Sequence, residues 1–170
     1  MKPKELALVA MFASLTALGA QVTVPIGPVP VTLQVLFVLL SGLMLGARLG
    51  FLSQALYVFL GLIGLPVFAH LGSGFAVLYG PTGGYLLAFP LASFLAGLFA
   101  GRRKALEFLG AIAAISVIYI LGWARLSLLL GPSKAFYVGV LPFIGIDVAK
   151  AVAAVLVANA VREALPEGRF

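Results

Sequence analysis

Long uninterrupted apolar runs constrain this chain more than any other feature of its sequence. Residues 35–45 and 109–121 contain no charged side chain. A transmembrane β-barrel would instead alternate apolar and polar residues in segments of roughly ten residues. Only 9% of the residues are charged, whereas a soluble domain carries about 25%. We therefore expect an all-α membrane protein whose main solvent is the lipid bilayer.

The overall composition excludes several other classes of protein. Hydrophobic residues make up 63% of the chain and the mean hydropathy is +1.20, which rules out a disordered chain, a collagen and a soluble coiled coil. Cysteine is absent, so there is no disulfide framework and no thiolate metal site. The net charge of +6 would suggest nucleic acid in a soluble protein, but no basic stripe is interleaved with aromatic residues. We expect no nucleic-acid partner.

Six apolar stretches fit into 170 residues, because a transmembrane helix needs about 20 residues. The stretches cover residues 6–22, 33–45, 51–62, 85–101, 105–123 and 141–161. The second and third are short for a full span, and a turn that contains Arg48 joins them. We expect a bundle of six transmembrane helices that forms a single integral membrane domain over residues 1–170.

Lysine and arginine are distributed unevenly between the two sides of this bundle. With the N-terminus inside, eight basic residues fall in inner segments: Lys2, Lys4, Arg48, Arg102, Arg103, Lys104, Arg162 and Arg169. Two fall in outer loops, Arg125 and Lys134. Because Lys and Arg concentrate in cytoplasmic loops, the bias predicts that both termini are cytoplasmic. The chain would then be a multi-pass protein of the cell membrane.

Two outer loops have compositions that resist regular helix. Residues 23–32 contain three prolines, and residues 64–84 are rich in glycine and contain Pro66 and Pro81. Proline removes a backbone donor and glycine weakens a helix. Irregular backbone at membrane depth is tolerated only where it is buried in protein or lines a cavity. Two such loops on one face predict a lidded pocket that opens to the outside.

Asp147 and Lys150 are the most informative ionisable residues. They lie three residues apart in the last apolar stretch, and therefore on one helix face. Ionisable residues inside a membrane are costly and usually mark a functional site. The alternative is an ion pair that only fixes the last helix against its neighbours. We favour the functional interpretation, because small residues or Ser and Thr can fix helices at lower cost.

Other polar residues of the spans have two interpretations each. For Gln54 and Asn159 we favour hydrogen bonds between helices, and Gln21 has the same alternative. Gln34 follows the proline-rich loop, so it can equally be a ligand-facing amide. Arg125 lies just after Trp123 at the outer interface, where it can anchor the helix in the membrane interface or bind a carboxylate at the pocket mouth.

The residues needed for catalysis are missing from the sequence. It has one histidine, His70, no cysteine, and no GxSxG, HExxH or P-loop motif. Asp147 is the only carboxylate that the pattern places well inside a span, which excludes a paired-aspartate protease because that chemistry needs two carboxylates. We expect no enzyme, no cofactor and no metal site. Any ATP hydrolysis would be supplied by partner proteins.

Small residues recur at four-residue spacing in several predicted helices. In the first helix, Ala13 and Ala17 belong to a stripe that includes Ala10 and Ala20. Such spacing is typical of close packing between helices of one bundle. The same stripe could dock a second membrane protein, and the spacing leaves both interpretations open.

Four sequence blocks occur in order along the chain. They are VPIGPVPVTLQ at residues 24–34, GLIGLPVFA at 61–69, GPTGGYL at 80–86 and LPFIGIDVAKA at 141–151. In these blocks and their spacing the chain resembles the BioY family, the biotin-binding S components of energy-coupling factor (ECF) transporters. The resemblance covers nearly the whole chain. The PVPVTLQ and GPTGGYL blocks together are its most specific part.

The resemblance implies the six-helix S-component fold and high-affinity biotin binding for uptake across a prokaryotic cell membrane. The pocket would face outward and be closed by the first and third inter-helix loops. The implied partners are the transmembrane scaffold EcfT and two ATP-binding-cassette (ABC) ATPases, with biotin as transported ligand. The family's partner-docking AxxxA motif matches Ala13 and Ala17, and its Asp-x-x-Lys motif matches Asp147 and Lys150.

The chemistry of biotin and the positions of the residues together give a set of expected ligand-binding residues. Asp147 can accept hydrogen bonds from the ureido N–H groups of biotin, and Lys150 can donate to the ureido carbonyl or pair with the carboxylate tail. The aromatic residues expected to wall the apolar part are Phe68, Phe75, Tyr79 and Tyr85. The other expected binding residues are Gln34, Thr82, Gly83 and Arg125.

Two alternatives to an ECF subunit stay open. One is a solitary biotin transporter without ATPases, which the stripe on the first helix does not exclude. The other is a membrane scaffold in which the charged pair is structural. Biotin binding to the purified protein separates the scaffold from both transporters, and co-purification with ATPases separates the two transporters.

Overall fold

The computed structural model describes residues 1–164, so Arg169 of the charge count lies outside the described residues. The helices are α1 (Pro3–Gln21), α2 (Gln34–Leu62), α3 (Phe75–Tyr79), α4 (Gly83–Gly97), α5 (Lys104–Leu130), α6 (Pro132–Gly139) and α7 (Ile144–Ala164). Two short strands, β1 (Thr23–Val24) and β2 (Val31–Thr32), pair as an antiparallel hairpin between α1 and α2.

Helix α2 is two antiparallel arms joined at one residue. Gly46 has φ 78° and ψ 174°, a backbone conformation that favours glycine and interrupts the helix between residues 34–45 and 47–62. The Nε2 atom of Gln34 lies 2.6 Å from the hydroxyl of Tyr57. In a straight helix these residues would be about 34 Å apart, at about 1.5 Å rise per residue. The predicted turn at residues 46–50 is thus a single-residue reversal.

With the arms of α2 counted separately, the bundle has six principal helices, which confirms the predicted fold class. Among residues 1–164, four helical segments have the length and composition of a membrane span: α1, α2 taken over both of its arms, α5, and residues 132–164, which include α6 and α7. Helix α4 is apolar but has 15 residues. Helix α5 continues to Leu130, beyond the predicted end at residue 123, because no helix breaker occurs before Gly131 and Pro132. The short helices α3 and α6 were not predicted.

Close packing of α2 against α4 and α1 forms the centre of the bundle. A Cβ atom on Gly42 would overlap the carbonyl oxygen of Ser93, so this glycine allows the backbones of α2 and α4 to approach. The Nε2 atom of Gln54 donates to Thr16 on α1 at 3.1 Å and to Ser41 at 3.0 Å. The preferred interpretation of Gln54, a hydrogen bond between helices, is confirmed.

The connections divide between two ends of the bundle because the spans alternate in direction. The hairpin, residues 63–82 and residues 131–143 lie at one end, which we call the loop end. The bend at Gly46, residues 98–103 and the beginning of α5 lie at the other, which we call the basic end. As predicted, neither outer loop is regular helix throughout: residues 63–82 contain only a 3-10 turn at Ala69–Leu71 and α3.

Glu107 is a second buried carboxylate, which the sequence did not single out. It lies in the first turn of α5, at the end of the span, and is 0% exposed. The sequence places it near the basic run at residues 102–104, which is typical of an interfacial position. It is buried because Arg162 and Asn159 of α7 fold over it and satisfy its oxygens.

Candidate ligand-binding site

A cavity of about 460 Å³ lies inside the loop end of the bundle. Its wall is assembled from the hairpin, the beginnings of α2, α4 and α7, the loop at residues 68–82 and the middle of α5. Pockets that bind small molecules usually measure about 300–1,000 Å³ and are mostly apolar with a few placed polar groups. The cavity therefore has the size and the mostly apolar lining of a small-ligand site.

Asp147 and Lys150 form the charged part of this wall. The Nζ atom of Lys150 lies 2.7 Å from Oδ1 of Asp147, and the two residues are 8% and 3% exposed. The hydroxyl of Tyr119 on α5 donates to the other oxygen, Oδ2, at 2.8 Å. Asp147 lies in the first turn of α7, where the helix dipole favours a negative charge. The two charged side chains form an ion pair with each other, and both also border the cavity.

Gln34 lies in the wall and connects the two loops that enclose it. Its Oε1 atom accepts from the hydroxyl of Thr32 at 2.8 Å, and its Nε2 donates to the hydroxyl of Tyr57 at 2.6 Å. Tyr57 in turn donates to the carbonyl of Val67 at 3.0 Å. Gln34 therefore links the two arms of α2 and also borders the cavity, while its role as a ligand-facing amide stays a prediction.

Aromatic side chains supply the apolar wall. Phe68 is 1% exposed, and its ring meets that of Tyr57 edge-on, with centroids 5.6 Å apart. Tyr85 turns its ring toward the cavity and donates its hydroxyl to the carbonyl of Gly139 at 2.7 Å. Phe89 and Phe143 complete the aromatic lining. A flat apolar ligand would contact ring faces and edges on several sides.

The structure brings six of the predicted binding residues to the cavity and leaves four outside its lining. The six are Gln34, Phe68, Thr82, Tyr85, Asp147 and Lys150. The four are Phe75, Tyr79, Gly83 and Arg125.

Helical geometry explains the four that lie outside. Phe75 and Tyr79 are four residues apart on α3, so they share its outer face and are 63% and 71% exposed, while Val77 lines the cavity. Gly83 lets the end of α3 approach α4, since a Cβ atom there would overlap the carbonyl of Leu78. Arg125 donates to the carbonyl of Tyr79 and so holds α3 against α5.

Sequence reasoning missed several lining residues. Tyr119 is the most important, because its hydroxyl contacts Asp147. A tyrosine in the middle of an apolar span was the available signal, since a buried hydroxyl needs a partner. His70, which had no assigned role, lies at the cavity in a left-handed backbone conformation with φ 57°.

The predicted docking residues of α1 have unequal exposure. Ala13 is only 2% exposed and packs in the core of this chain, and Ala17 is half-buried. The surface of α1 is formed instead by Ala10, Ser14 and Leu18. The small residues of α1 thus serve at least internal packing, which was one of the two interpretations of their spacing.

A partly enclosed, mostly apolar cavity with one buried charged wall, in a bundle of membrane-spanning helices, defines a membrane-embedded binding protein for a small organic molecule. The comparisons with known proteins then specify it. A family model described as the BioY family matches residues 1–167. The chain belongs to the BioY family.

Relatives and a solved structure agree with this membership. A probable biotin transporter BioY of Pyrococcus horikoshii is 54% identical over 159 residues, covering 94% of this chain and 96% of the relative. A biotin transporter BioY of Thermotoga maritima is 43% identical over 158 residues, covering 91% and 94%. The crystal structure of the S-component for biotin from an ECF-type ABC transporter matches with TM-score 0.88 at 28% identity, covering 95% of this chain and 92% of that one.

Proposed function

We propose that this chain binds biotin in the cavity with high affinity and mediates its uptake as the S component of an ECF-type transporter. The observation that carries the proposal is the Asp147–Lys150 pair in the wall of an apolar cavity of about 460 Å³. Family membership and the names of the relatives support biotin as the ligand.

The ureido group of biotin matches the charged wall in chemistry. It offers two N–H donors and one carbonyl acceptor, and the wall offers a carboxylate acceptor beside an ammonium donor. One N–H of Lys150 is directed to Asp147, so the other two are available for a carbonyl oxygen. Charge-assisted hydrogen bonds of this kind are roughly twice as strong as neutral ones.

The bicyclic ring of biotin and its aliphatic chain match the apolar wall. Phe68, Tyr85, Phe89 and Phe143 surround the cavity with aromatic surface. Burial of apolar area is worth about 25 cal/mol per Å². The polar wall then orients the ligand, and the aromatic wall supplies most of the affinity.

The proposal assigns no catalysis to this chain. Transport energy would come from two partner ATPases and the scaffold EcfT, and the protein would lie in a prokaryotic cell membrane with both termini in the cytoplasm. The uneven distribution of Lys and Arg supports that orientation. Docking on the scaffold would use the surface of α1 around Ala17 rather than the buried Ala13.

The test is equilibrium binding of radiolabelled biotin to the purified protein, with thiamine and riboflavin as competitors. We expect saturable binding that neither competitor displaces, and a loss of about tenfold or more in Asp147→Asn. Glu163→Gln is the matched control, because Glu163 is a 74% exposed carboxylate on the same helix. Unchanged binding in Asp147→Asn would refute the role of the charged wall.

The partners are tested by co-purification from cells that express the scaffold and both ATPases. We expect Ser14→Trp on the surface of α1 to reduce recovery of the partners without changing biotin affinity, since Ser14 is exposed and far along α1 from the cavity. Leu128→Trp on α5, where Leu128 is 78% exposed, is the control. Biotin transport without any co-purifying ATPase would favour the solitary transporter.

A further inference from the structure

A second buried polar cluster joins the same two helices that form the charged wall, at their other end. Glu107 on α5 accepts from Nη2 of Arg162 at 2.5 Å and from Nδ2 of Asn159 at 2.7 Å, both on α7. It also accepts from the backbone N–H of Gly101 at 2.8 Å. Each carboxylate oxygen therefore has a donor, as a fully buried charge requires. We call Glu107, Asn159 and Arg162 the inner cluster.

The inner cluster and the Tyr119–Asp147 contact are equally spaced along both helices. Glu107 and Tyr119 are twelve residues apart on α5, and Asp147 and Asn159 are twelve residues apart on α7, which runs in the opposite direction. Twelve residues correspond to about 18 Å of helix. Both contacts can form only in one register, and a slip by one residue would separate both pairs.

Small side chains occupy much of the buried surface between the two contacts. On α7 the buried apolar residues there are Ala151, Ala154, Val155 and Ala158. On α5 they are Gly110, Ala111, Ala114, Ile115 and Ile118, of which only the two isoleucines are large. Small side chains interlock less than large ones, so apolar packing specifies the register of these helices weakly. Buried polar groups are best attested as devices that fix register.

We propose that the inner cluster is a positioning device for the ligand wall: it sets the register of α5 against α7 and thereby holds Tyr119 against Asp147. Glu107 acts on ligand binding through Tyr119, without contacting the cavity. The effect on biotin affinity rests on the proposed function, whereas the register itself is independent of any ligand.

The first experiment removes the inner cluster without leaving an unpaired buried charge. The triple variant Glu107→Leu, Asn159→Leu and Arg162→Leu replaces it by apolar side chains, an exchange that is often neutral for stability. We expect biotin binding to weaken by about tenfold or more, the cost of losing a hydrogen bond to a charged group. Glu107→Gln keeps an acceptor oxygen and nearly the same shape, so it should weaken biotin binding less than the triple variant does. It provides the test if the triple variant does not fold.

A double-mutant cycle separates positioning from a general loss of structure. The effects of two substitutions on binding normally add, within about twofold in affinity, when the sites are more than about 10 Å apart and share no partner. We expect Tyr119→Phe to weaken biotin binding in the wild type but to change it by less than about twofold in the triple variant. Additive effects of the two changes would overturn the proposal.

A distance measurement tests the register without biotin. Because the chain has no cysteine, Leu109→Cys near the inner cluster and Ile146→Cys near the ligand wall can carry two spin labels on exposed positions of α5 and α7. The two labels are offset by about 16 Å along the helices. A slip of one residue to one turn, about 1.5–5 Å along the helices, should change this oblique distance by about 1–4 Å in the triple variant, and by less in Glu107→Gln. An unchanged distance would overturn the proposal even if biotin binding failed for another reason.

The exposed ion pair at the same end provides the matched control. Lys104 and Glu163 join α5 and α7 at 3.8 Å but are 62% and 74% exposed. An exposed pair contributes little, so Glu163→Gln should leave both the spin-label distance and the biotin affinity unchanged. If it altered them as much as Glu107→Gln does, the special role of the buried cluster would be refuted.

Discussion

Replacing Lys150 by methionine, alone and together with Asp147→Leu, separates the stability of the charged pair from its use in binding. Lys150→Met leaves Asp147, which is 3% exposed, with the Tyr119 hydroxyl as its remaining donor. Breaking a buried pair in this way costs about 3–5 kcal/mol. The double change removes both charges, and replacement of a whole buried pair by apolar residues is often neutral. The double variant should therefore regain most of the stability lost in the single one.

Biotin binding should follow a different order from stability. The single variant lacks the donor proposed for the ureido carbonyl, and the double variant lacks both that donor and the carboxylate acceptor. Both should therefore lose at least about 1.5–3 kcal/mol of binding free energy, roughly ten- to a hundredfold. The assays are thermal unfolding in detergent and equilibrium binding on the same samples. A stable double variant that binds biotin like the wild type would show that the pair only fixes α7, as the scaffold interpretation requires.

Two further variants test how the loops are held around the cavity. Tyr57→Phe removes the hydroxyl that joins Gln34 to the Val67 carbonyl, so it should lower the free energy of unfolding by about 1–3 kcal/mol and weaken biotin binding. The control is Tyr137→Phe, because Tyr137 is 65% exposed. An equal effect of the two changes would contradict this prediction. Gly61→Ala should displace the Phe68 ring, which lies where the new Cβ would be, and should weaken biotin binding several-fold. Gly145→Ala is the control, because its Cβ would enter open space, and it should leave biotin affinity unchanged in the same titration.

The polar wall of the site could be predicted because a charged side chain inside a membrane is costly and usually marks a functional site. Asp147 and Lys150 are spaced for one helix face, and the structure finds them paired beside a cavity. The irregular outer loops were predicted for a similar reason, since proline and glycine exclude regular helix whatever the tertiary context. In these places local chemistry alone decides the outcome.

Other features depend on tertiary contacts that no local pattern encodes. Phe75 and Tyr79 were expected to line the pocket because they are aromatic residues of an outer loop. The five-residue helix α3 decides that they face outward. Glu107 is buried because α7 returns to it with Arg162, fifty-five residues later in the chain. Ala13 faces the core because α1 packs on α2, and four-residue spacing is the same for either environment.

The reversal of α2 at Gly46 sets how much bilayer this part of the protein can match. Its arms, residues 34–45 and 47–62, are 12 and 16 residues long, or about 18 and 24 Å. The hydrocarbon core is about 30 Å thick. Arg48 follows the bend and is exposed, so its long side chain can extend toward the headgroups. We therefore expect the bilayer to be locally thinner around α2 than around α5.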